Sequence, residues 1–299
     1  MGKIAFVFSG QGDQYPGMGK ALYDKYPAAV SAYALCDRIR PETSSQCFYG
    51  SEEELKETRN TQPCLFAMEL AAFSVLSDKG VHPDAVAGFS LGEVTAATAA
   101  GIFSQETGFR LVCRRGELMQ REAEKFDTSM AAIIKLSPAQ IQEICQKHTD
   151  IYPVNFNCPG QITVSGLSIH MPAFFAEVKE AGGRAIPLKV KGAFHSPFMK
   201  EAANDFAKEL SKTKIKSTNI PVYSDLTAEP YTEDIVSLLS KQICSPVQWE
   251  KIIRNMIAGD MDTFIEIGPG KTLTNIIRKI DPKAAVYTVT EYLAEVESC

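Results

Sequence analysis

The clearest candidates for chemistry in this chain are a serine and a histidine that lie far apart in sequence. Ser90 lies in Gly88-Phe89-Ser90-Leu91-Gly92, between the strand-like run 84–87 and the alanine-rich, helix-like run 93–100. A serine at a sharp strand-to-helix turn with glycine on both sides is typical of a nucleophile elbow, which pushes the hydroxyl out of the sheet. The same motif also fits a structural serine in a glycine-rich turn, so a second residue has to decide between the two interpretations.

The base that would activate Ser90 is predicted by elimination among four histidines. A serine hydroxyl is a weak nucleophile until a base takes its proton, and histidine is the usual base because its pKa lies near neutrality. His82 belongs at the opposite end of the strand that leads to Ser90, and His148 and His170 fall at predicted helix ends. His195 lies in a loop where two predicted domains meet, and clefts of that kind often hold active sites. We therefore predict that His195 is the base.

The order of predicted elements indicates an α/β fold that carries an inserted small domain. Strand and helix signals alternate in the first third and again after the insertion, which favours a parallel sheet. Between residues 126 and 192 the order becomes β-α-β-β-α-β, the ferredoxin-like arrangement. We predict a discontinuous catalytic domain at 1–125 and 193–299, a small domain at 126–192, and a frayed tail at 291–299.

Composition and charge exclude several classes of protein. The 299 residues are 45% hydrophobic with a net charge of −5, which predicts a soluble globular protein with no general affinity for nucleic acid or anionic lipid. The sequence has no long apolar run and no cleavage-site pattern, so we expect no membrane span and a cytoplasmic location. The eight irregularly spaced cysteines, Cys299 among them, argue against zinc and against a disulfide framework. The glycine-rich segments 10–15 and 265–272 lack the spacing that a dinucleotide or phosphate loop needs.

Several further segments, taken together and in chain order, resemble one enzyme family. They are Gly10-Gln11-Gly12, the Ser90 elbow, 115–120 with Arg115, 155–161, 193–196 with His195, 245–249 and 266–271. With these segments, nearly the whole chain resembles the malonyl-CoA:acyl carrier protein transacylases and the acyltransferase domains of polyketide synthases. The resemblance implies a hydrolase-like α/β domain with a ferredoxin-like insertion, in agreement with the predicted order of elements.

The resemblance also implies a reaction. Ser90 would attack the thioester of malonyl-CoA, with His195 acting as base and then as acid, and the phosphopantetheine thiol of acyl carrier protein would take the malonyl group from the serine. Such a ping-pong transfer serves fatty acid or polyketide synthesis. It requires no metal and no cofactor, since coenzyme A enters as part of the substrate, and the family's free-standing members are commonly monomeric.

Roles for individual residues follow from the resemblance alone. The backbone N–H groups of Gln11 and Leu91 would form an oxyanion hole, and the main-chain carbonyl of Gln248 would orient His195. Arg115 would bind the free carboxylate of malonate, since a guanidinium makes two parallel charge-assisted hydrogen bonds that a lysine cannot reproduce. Further substrate contacts are implied for Met119, Phe194, Asn155 and Asn157.

Two positions bear on selectivity, and a group of cations bears on docking. Phe89 stands where the family usually has histidine, which leaves rate and acyl selectivity open. Phe194 before His195 matches the form associated with malonyl rather than methylmalonyl selection. The two acyl groups differ by one methyl, which is typically worth about 1–3 kcal/mol of binding.

An acidic carrier protein could dock on basic residues near the His195 loop. The same residues would equally well be ordinary solvated lysines and arginines. The candidates are Lys189, Lys191 and Lys200, with Lys271 and Arg278 further along the chain.

Two other functions remain open from the residues. An acyl-carrier-protein hydrolase that removes stalled chains would use the same Ser90 and His195, but a hydrolase of simple acyl groups has no use for a buried cation such as Arg115. A non-catalytic module that docks carrier proteins would need none of these residues. Malonyl transfer is therefore the leading interpretation, with the hydrolase next.

Overall fold

The computed structural model describes residues 2–232 and 234–298, so Met1, Glu233 and Cys299 lie outside it. Seven of the eight cysteines are described, and all seven are free thiols. Within the described residues, no helix is long and apolar enough to cross a membrane. That part of the chain also contains no group of three or more His, Cys, Asp or Glu side chains that could hold a metal ion.

Two sheets organise the molecule. The strands among the described residues are β1 Lys3–Phe8, β2 Ala85–Gly88, β3 Thr128–Ile134, β4 Ile151–Cys158, β5 Gln161–Leu167, β6 Arg184–Lys191, β7 Val222–Tyr223, β8 Met261–Ile267 and β9 Ala285–Thr288. One sheet has the order β7-β2-β1-β8-β9, and all its pairs are parallel. The other has the order β4-β5-β3-β6, and all its pairs are antiparallel. The predicted fold class, a parallel α/β sheet with a second antiparallel sheet, is confirmed.

The helices follow the strands in the order expected of an α/β fold. They are α1 Lys20–Lys25, α2 Pro27–Ile39, α3 Thr43–Tyr49, α4 Glu52–Lys56, α5 Thr58–Asp78, α6 Leu91–Ala99, α7 Gln105–Ala123, α8 Pro138–Lys147, α9 Met171–Glu180, α10 Lys200–Leu210, α11 Ile235–Gln242, α12 Trp249–Ala258, α13 Thr272–Ile280 and α14 Val289–Ser298. The prediction of a frayed tail from residue 291 was wrong. In α14, Val289 and Leu293 are buried, and this apolar contact holds the helix in place.

The parallel sheet is covered by helices on both faces, as its sequence requires. Successive side chains of a strand point to opposite faces, and β1 is apolar at almost every position. Phe6 and Phe8 pack into a core shared with α2, α5 and α7, whereas Ala5 and Val7 pack into a second core with α12 and α13. The central strands are therefore buried over their last four residues, and their carboxyl ends form the edge at which β2 meets α6.

The antiparallel sheet covers its apolar face with two helices and leaves the other face towards the large domain. Ser137 forms a capping box with Gln140 at the start of α8, and Pro138 takes the first helical position. The buried core beneath α8 and α9 includes Ile133, Val164 and Phe174. Because this sheet uses only residues 128–191, we propose the division of the chain that the sequence predicts, with a small domain at 126–192.

Backbone hydrogen bonds attach the small sheet to the large domain. The edge strand β4 lies beside the segment that precedes α12, where Phe156 N–H donates to the Val247 carbonyl at 2.9 Å and Val247 N–H donates to the Val154 carbonyl at 2.9 Å. This junction holds the uncovered face of the small sheet against the carboxyl edge of the parallel sheet. A cleft forms between them.

Candidate active site

Ser90 lies in a strained turn between β2 and α6. Its φ and ψ are 55° and −101°, a conformation that L-residues other than glycine adopt only when the surroundings impose it. A Cβ at Gly88 would lie 1.9 Å from the Gly92 carbonyl group, and a Cβ at Gly92 would lie 2.3 Å from the Phe8 carbonyl oxygen. Only glycine fits at both positions, so the structure has the geometry of a nucleophile elbow.

His195 is placed to take the proton of Ser90. Its Nε2 lies 2.7 Å from Ser90 Oγ, and its Nδ1 lies 2.9 Å from the main-chain carbonyl oxygen of Gln242. A carbonyl oxygen can only accept, so Nδ1 carries the proton and donates it to Gln242, which leaves Nε2 as the acceptor for the serine hydroxyl. This tautomer is the one that a general base needs.

The assignment of the orienting carbonyl to Gln248 was wrong. The Gln248 carbonyl accepts the Ile252 N–H at 3.0 Å in the first turn of α12, so it is used within that helix. The Gln242 carbonyl lies at the end of α11, where helix termini leave carbonyl groups without intrahelical partners, and it accepts the Ser245 N–H at 3.3 Å as well as the His195 Nδ1–H. The two glutamines flank the same loop, and only the fold decides which of them reaches the histidine.

The surroundings of His195 lower the pKa of its imidazole to about 4 from an ordinary value of 6.5, first through burial and then through the positive charge of Arg115. The ring is therefore neutral at physiological pH and free to accept a proton. A base with so low a pKa also forms an imidazolium that readily gives its proton away in the next step.

This depressed pKa predicts an unusual pH profile for the reactivity of Ser90. We expect its rate of modification by a fluorophosphonate to stay constant from about pH 8 to about pH 5 and to fall at lower pH, because only neutral His195 can accept the serine proton. The midpoint should lie near the pKa of about 4. Intact mass against time at each pH gives the profile, and a midpoint near the ordinary histidine value would contradict this assignment.

Arg115 projects from α7 to the same serine. One of its terminal nitrogens, Nη2, donates to Ser90 Oγ at 3.2 Å and to Gln242 Oε1 at 2.8 Å, and Nη1 donates to Gln62 Oε1 at 2.9 Å. The side chain is fully buried, and its Nε has no hydrogen-bond partner among the described residues. A buried guanidinium beside a nucleophile, with its Nε–H unpartnered, can bind a carboxylate through two parallel hydrogen bonds.

The N–H groups of Gln11 and Leu91 are free to bind an oxyanion. Gln11 follows β1 and Leu91 is the first residue of α6, so both lie at the carboxyl edge of the sheet on either side of Ser90. Neither N–H donates to an acceptor within the described chain. The side chain of Gln11 donates to Thr58 Oγ1 at 3.2 Å, which anchors the loop that carries it.

A cavity of about 460 Å³ lies between the two sheets beside the elbow. Its lining includes Gln11, Phe89, Asn155, Asn157, Leu188 and Lys189. The Oδ1 atoms of both asparagines are buried without a protein partner in the described chain, so they can accept hydrogen bonds from a bound molecule. Phe89 lines the same cavity and packs edge-on against Trp249, with ring centroids 5.4 Å apart.

Met119 and Phe194, for which the resemblance implies substrate contacts, do not line the cavity. Both are buried in the main core, and neither is among the described residues that line the cavity. Met119 Sδ accepts from Gln62 Nε2 at 3.3 Å, and Gln62 in turn holds Arg115. Met119 therefore supports the cation indirectly, and Phe194 packs beside the backbone that leads to His195.

Five residues of the site escaped prediction from the sequence, and they form a network behind the elbow. The Gln242 Nε2 amide lies 2.6 Å from the Ser90 carbonyl oxygen, 2.8 Å from Glu93 Oε2 and 3.0 Å from Asp225 Oδ2. Asp225 Oδ2 also accepts the Ser90 N–H at 2.6 Å, and Glu93 accepts from the Tyr231 hydroxyl. The fifth residue is Gln62, which joins the network through Arg115. A glutamate in an alanine-rich helix was a usable signal for Glu93, because a small-residue helix is normally buried.

Charges within this network balance around Arg115. Burial raises the pKa of Glu93 to about 7 and raises the pKa of Asp225 well above its usual value, while burial lowers the pKa of Arg115 to about 10. Two buried carboxyl groups that share one amide donor cannot both ionise easily, so the favoured state holds one proton between them. One carboxylate then balances the protonated arginine, and an incoming anion meets no net negative charge.

Compared with known proteins, the chain matches the acyl transferase domain family over residues 5–290. It is 39% identical to malonyl CoA-acyl carrier protein transacylase of Bacillus subtilis over 97% of this chain and 94% of that relative, and 36% identical to the protein of that name from Synechocystis over 94% of each. Among solved structures, the transacylase of Clostridium perfringens has a TM-score of 0.94 at 33% identity, covering 99% of this chain and 98% of that one. A malonyl-transacylase solved in complex with a type II PKS acyl-carrier protein has a TM-score of 0.95 at 30% identity, covering 99% and 100%.

Proposed function

The chain belongs to the acyl transferase domain family, and on that premise we propose that it transfers the malonyl group from malonyl-CoA to the phosphopantetheine thiol of an acyl carrier protein. The transfer passes through a malonyl ester on Ser90. One observation carries the proposal: Ser90 Oγ lies 2.7 Å from His195 Nε2 and 3.2 Å from Arg115 Nη2. A nucleophile, its base and a carboxylate-binding cation therefore meet at a single atom.

In the first half-reaction, Ser90 Oγ attacks the thioester carbonyl carbon while its proton passes to His195 Nε2. The N–H groups of Gln11 and Leu91 stabilise the oxygen that becomes negative, and such donors are typically worth about 2.7–4 kcal/mol each. The carbon–sulfur bond then breaks, and His195 returns the proton to the departing coenzyme A thiolate. The low pKa of His195 favours this last step, because it makes the imidazolium a strong proton donor.

The second half-reaction repeats these steps with another thiol. The phosphopantetheine thiol enters the cavity, gives its proton to His195 and attacks the ester carbonyl, and Ser90 recovers its proton as the ester bond breaks. Water competes for the same ester, so the cavity has to hold the thiol in line and exclude solvent. We assign the Oδ1 atoms of Asn155 and Asn157 to the amide groups of the pantetheine arm, because both oxygens are buried without a protein partner in the described chain.

Arg115 selects the acyl group in this proposal. The malonyl carboxylate binds the guanidinium through its unpartnered Nε–H and through the Nη2–H that donates to Ser90 Oγ before loading. Phe89 supplies an apolar wall on the cavity side of the elbow. The reaction needs no cofactor beyond the coenzyme A of its substrate, and we place it in the cytoplasm, where such thioesters are made and used.

A direct experiment separates this function from the hydrolase and the docking module. The protein is incubated with malonyl-CoA, with and without the phosphopantetheinylated carrier protein, and intact masses and free malonate are followed over time. The proposal predicts malonyl-carrier protein as the main product. Free malonate with little transfer would identify a hydrolase, and no turnover of any kind would leave only a docking role.

The carrier protein is expected to dock on the exposed lysines around the His195 loop. Lys191 and Lys200 are exposed and lie outside the cavity lining, whereas Lys189 lines the cavity and is also available to coenzyme A. Reversal of both charges in Lys191→Glu/Lys200→Glu should raise the apparent KM for carrier protein about tenfold, because an acidic partner then meets like charge. The KM for malonyl-CoA should not change.

A matched control exists in Lys214→Glu/Lys216→Glu. Both lysines are exposed, and the Lys216 N–H donates to the Ile102 carbonyl beyond the far end of α6, away from Ser90. The control carries the same change of net charge at a distance from the cleft. Equal effects on the carrier KM in the two double variants would show that Lys191 and Lys200 do not form a docking surface for the carrier protein.

A further inference from the structure

The side chain of Gln242 has no part in the steps above, yet it is fully buried at the centre of the site. Its carbonyl belongs to the main chain and orients His195, whereas its amide group makes separate contacts. The Oε1 atom accepts from Arg115, and the Nε2 atom lies within 3.0 Å of three acceptors. These partners also fix which end of the amide is nitrogen, because Arg115 can only donate.

The shortest of the Nε2 contacts is to the carbonyl oxygen of Ser90, at 2.6 Å. That carbonyl and the N–H of Leu91 belong to the same peptide unit. A trans peptide is planar and holds its C=O and N–H in opposite directions, and the described chain contains no cis peptide bond. A donor that fixes the Ser90 carbonyl on one side therefore fixes the direction of the Leu91 N–H on the other.

The Ser90 backbone needs such an anchor because it is strained at φ 55°. On its N-terminal side the anchor is Asp225, whose Oδ2 accepts the Ser90 N–H at 2.6 Å. On its C-terminal side the Ser90 carbonyl accepts from Gln242 Nε2 at 2.6 Å and, more weakly, from the Glu93 N–H at 3.2 Å in the first turn of α6. Asp225 reaches the elbow because β7 pairs with β2 in parallel, so both strands end at the same edge of the sheet.

We propose that the side chain of Gln242 is a positioning residue for the oxyanion hole: its Nε2 amide holds the Ser90–Leu91 peptide so that the Leu91 N–H points at the reacting carbonyl. Glu93 and Asp225 hold that amide in place. The inference rests on the proposed acyl transfer. It assigns two independent tasks to one glutamine: the main-chain carbonyl of Gln242 orients His195, and its side chain positions the oxyanion donor.

Gln242→Leu tests this division, because it removes the amide and retains the main-chain carbonyl. We expect the rate of Ser90 acylation from acetyl-CoA to fall about 10- to 100-fold, since a misaligned oxyanion donor loses much of its value. Acetyl has no carboxylate, so a weakened carboxylate contact with Arg115 does not contribute to that loss. The acidic limb of the pH profile should stay at its wild-type position, because His195 keeps its carbonyl partner.

A second variant, Gln242→Glu, gives a readout that a loss of packing would not produce. A glutamic acid at this position can donate to the Ser90 carbonyl only when protonated, and it faces Glu93, Asp225, Arg115, His195 and the hydroxyl of Tyr231. Its acylation rate should therefore rise as pH falls from about 8 to about 5, whereas the wild-type rate is constant over that range. Melting temperatures of both variants report whether they are folded.

The outcomes separate the two claims. If wild-type protein forms no acyl-serine from malonyl-CoA, the proposed function fails and the inference falls with it. If the wild type is acylated but Gln242→Leu accepts acetyl within about twofold of the wild-type rate, or Gln242→Glu shows a flat pH profile, only the role of the Gln242 side chain is overturned.

Discussion

Replacement of His195 by alanine is expected to lower the rate of malonyl loading on Ser90 by about 10⁴-fold or more. His195 Nε2 lies 2.7 Å from the serine oxygen, and without it the described site contains no other base in contact with that atom. The oxyanion donors and Arg115 remain, so malonyl-CoA still binds. The loss should therefore fall on kcat, with little change in the Kd for malonyl-CoA measured by calorimetry.

His82→Ala is the matched control for this prediction. His82 is exposed and precedes β2 at the end of the strand opposite Ser90, so its loss should leave loading unchanged. A His195→Ala protein that melts like the wild type and loads malonyl within about tenfold of its rate would show that another group is the base.

Replacement of Arg115 by alanine is expected to lower kcat/KM for malonyl-CoA by about 10²- to 10³-fold, the usual cost of removing one partner of a buried hydrogen-bonded charge pair. Loading from acetyl-CoA should rise relative to malonyl-CoA, because only the malonyl group loses a carboxylate contact, whereas loss of the Arg115–Ser90 hydrogen bond affects both substrates. The pKa of His195 should also rise, since the Arg115 charge is one cause of its depression. Competition between the two thioesters, read by intact mass, measures the change in preference.

Arg115→Lys separates charge from shape. A lysine keeps the positive charge but not the planar pair of donors, so it should recover part of the malonyl preference and not all of it. Removal of the cation also leaves Glu93 and Asp225 without their buried partner, and the melting temperature of Arg115→Ala should fall. If both variants keep the wild-type preference for malonyl over acetyl, Arg115 is not the carboxylate site.

The elbow could be predicted from sequence because its geometry is local. Two glycines, a preceding apolar strand and a following alanine-rich helix lie within 17 residues, and the structure adds the positive φ of 55° at Ser90. His195 could be predicted because few histidines compete for the role. Its place at the junction of the two domains follows from the change in element order, which is also a local pattern.

The supporting network could not be predicted because it depends on contacts across the whole chain. Asp225 meets Ser90 only because β7 lies beside β2, and strand order in a sheet is not a local property. Gln242 and Gln248 flank one loop and have the same side chain, and nothing in their spacing shows which carbonyl faces the cleft. The end of α11 decides it.

The malonyl ester on Ser90 is the central intermediate of the proposed transfer, and a single measurement tests it. The protein is mixed with malonyl-CoA alone, quenched in acid and digested, and the peptide that contains the elbow is sequenced by mass spectrometry beside a Ser90→Ala control. The account predicts a malonyl group on Ser90 that is absent from the control and disappears when the phosphopantetheinylated carrier protein is added before the quench. A malonyl group on any other residue, or an elbow that stays unmodified with malonyl-CoA alone although the same protein makes malonyl-carrier protein, would contradict it.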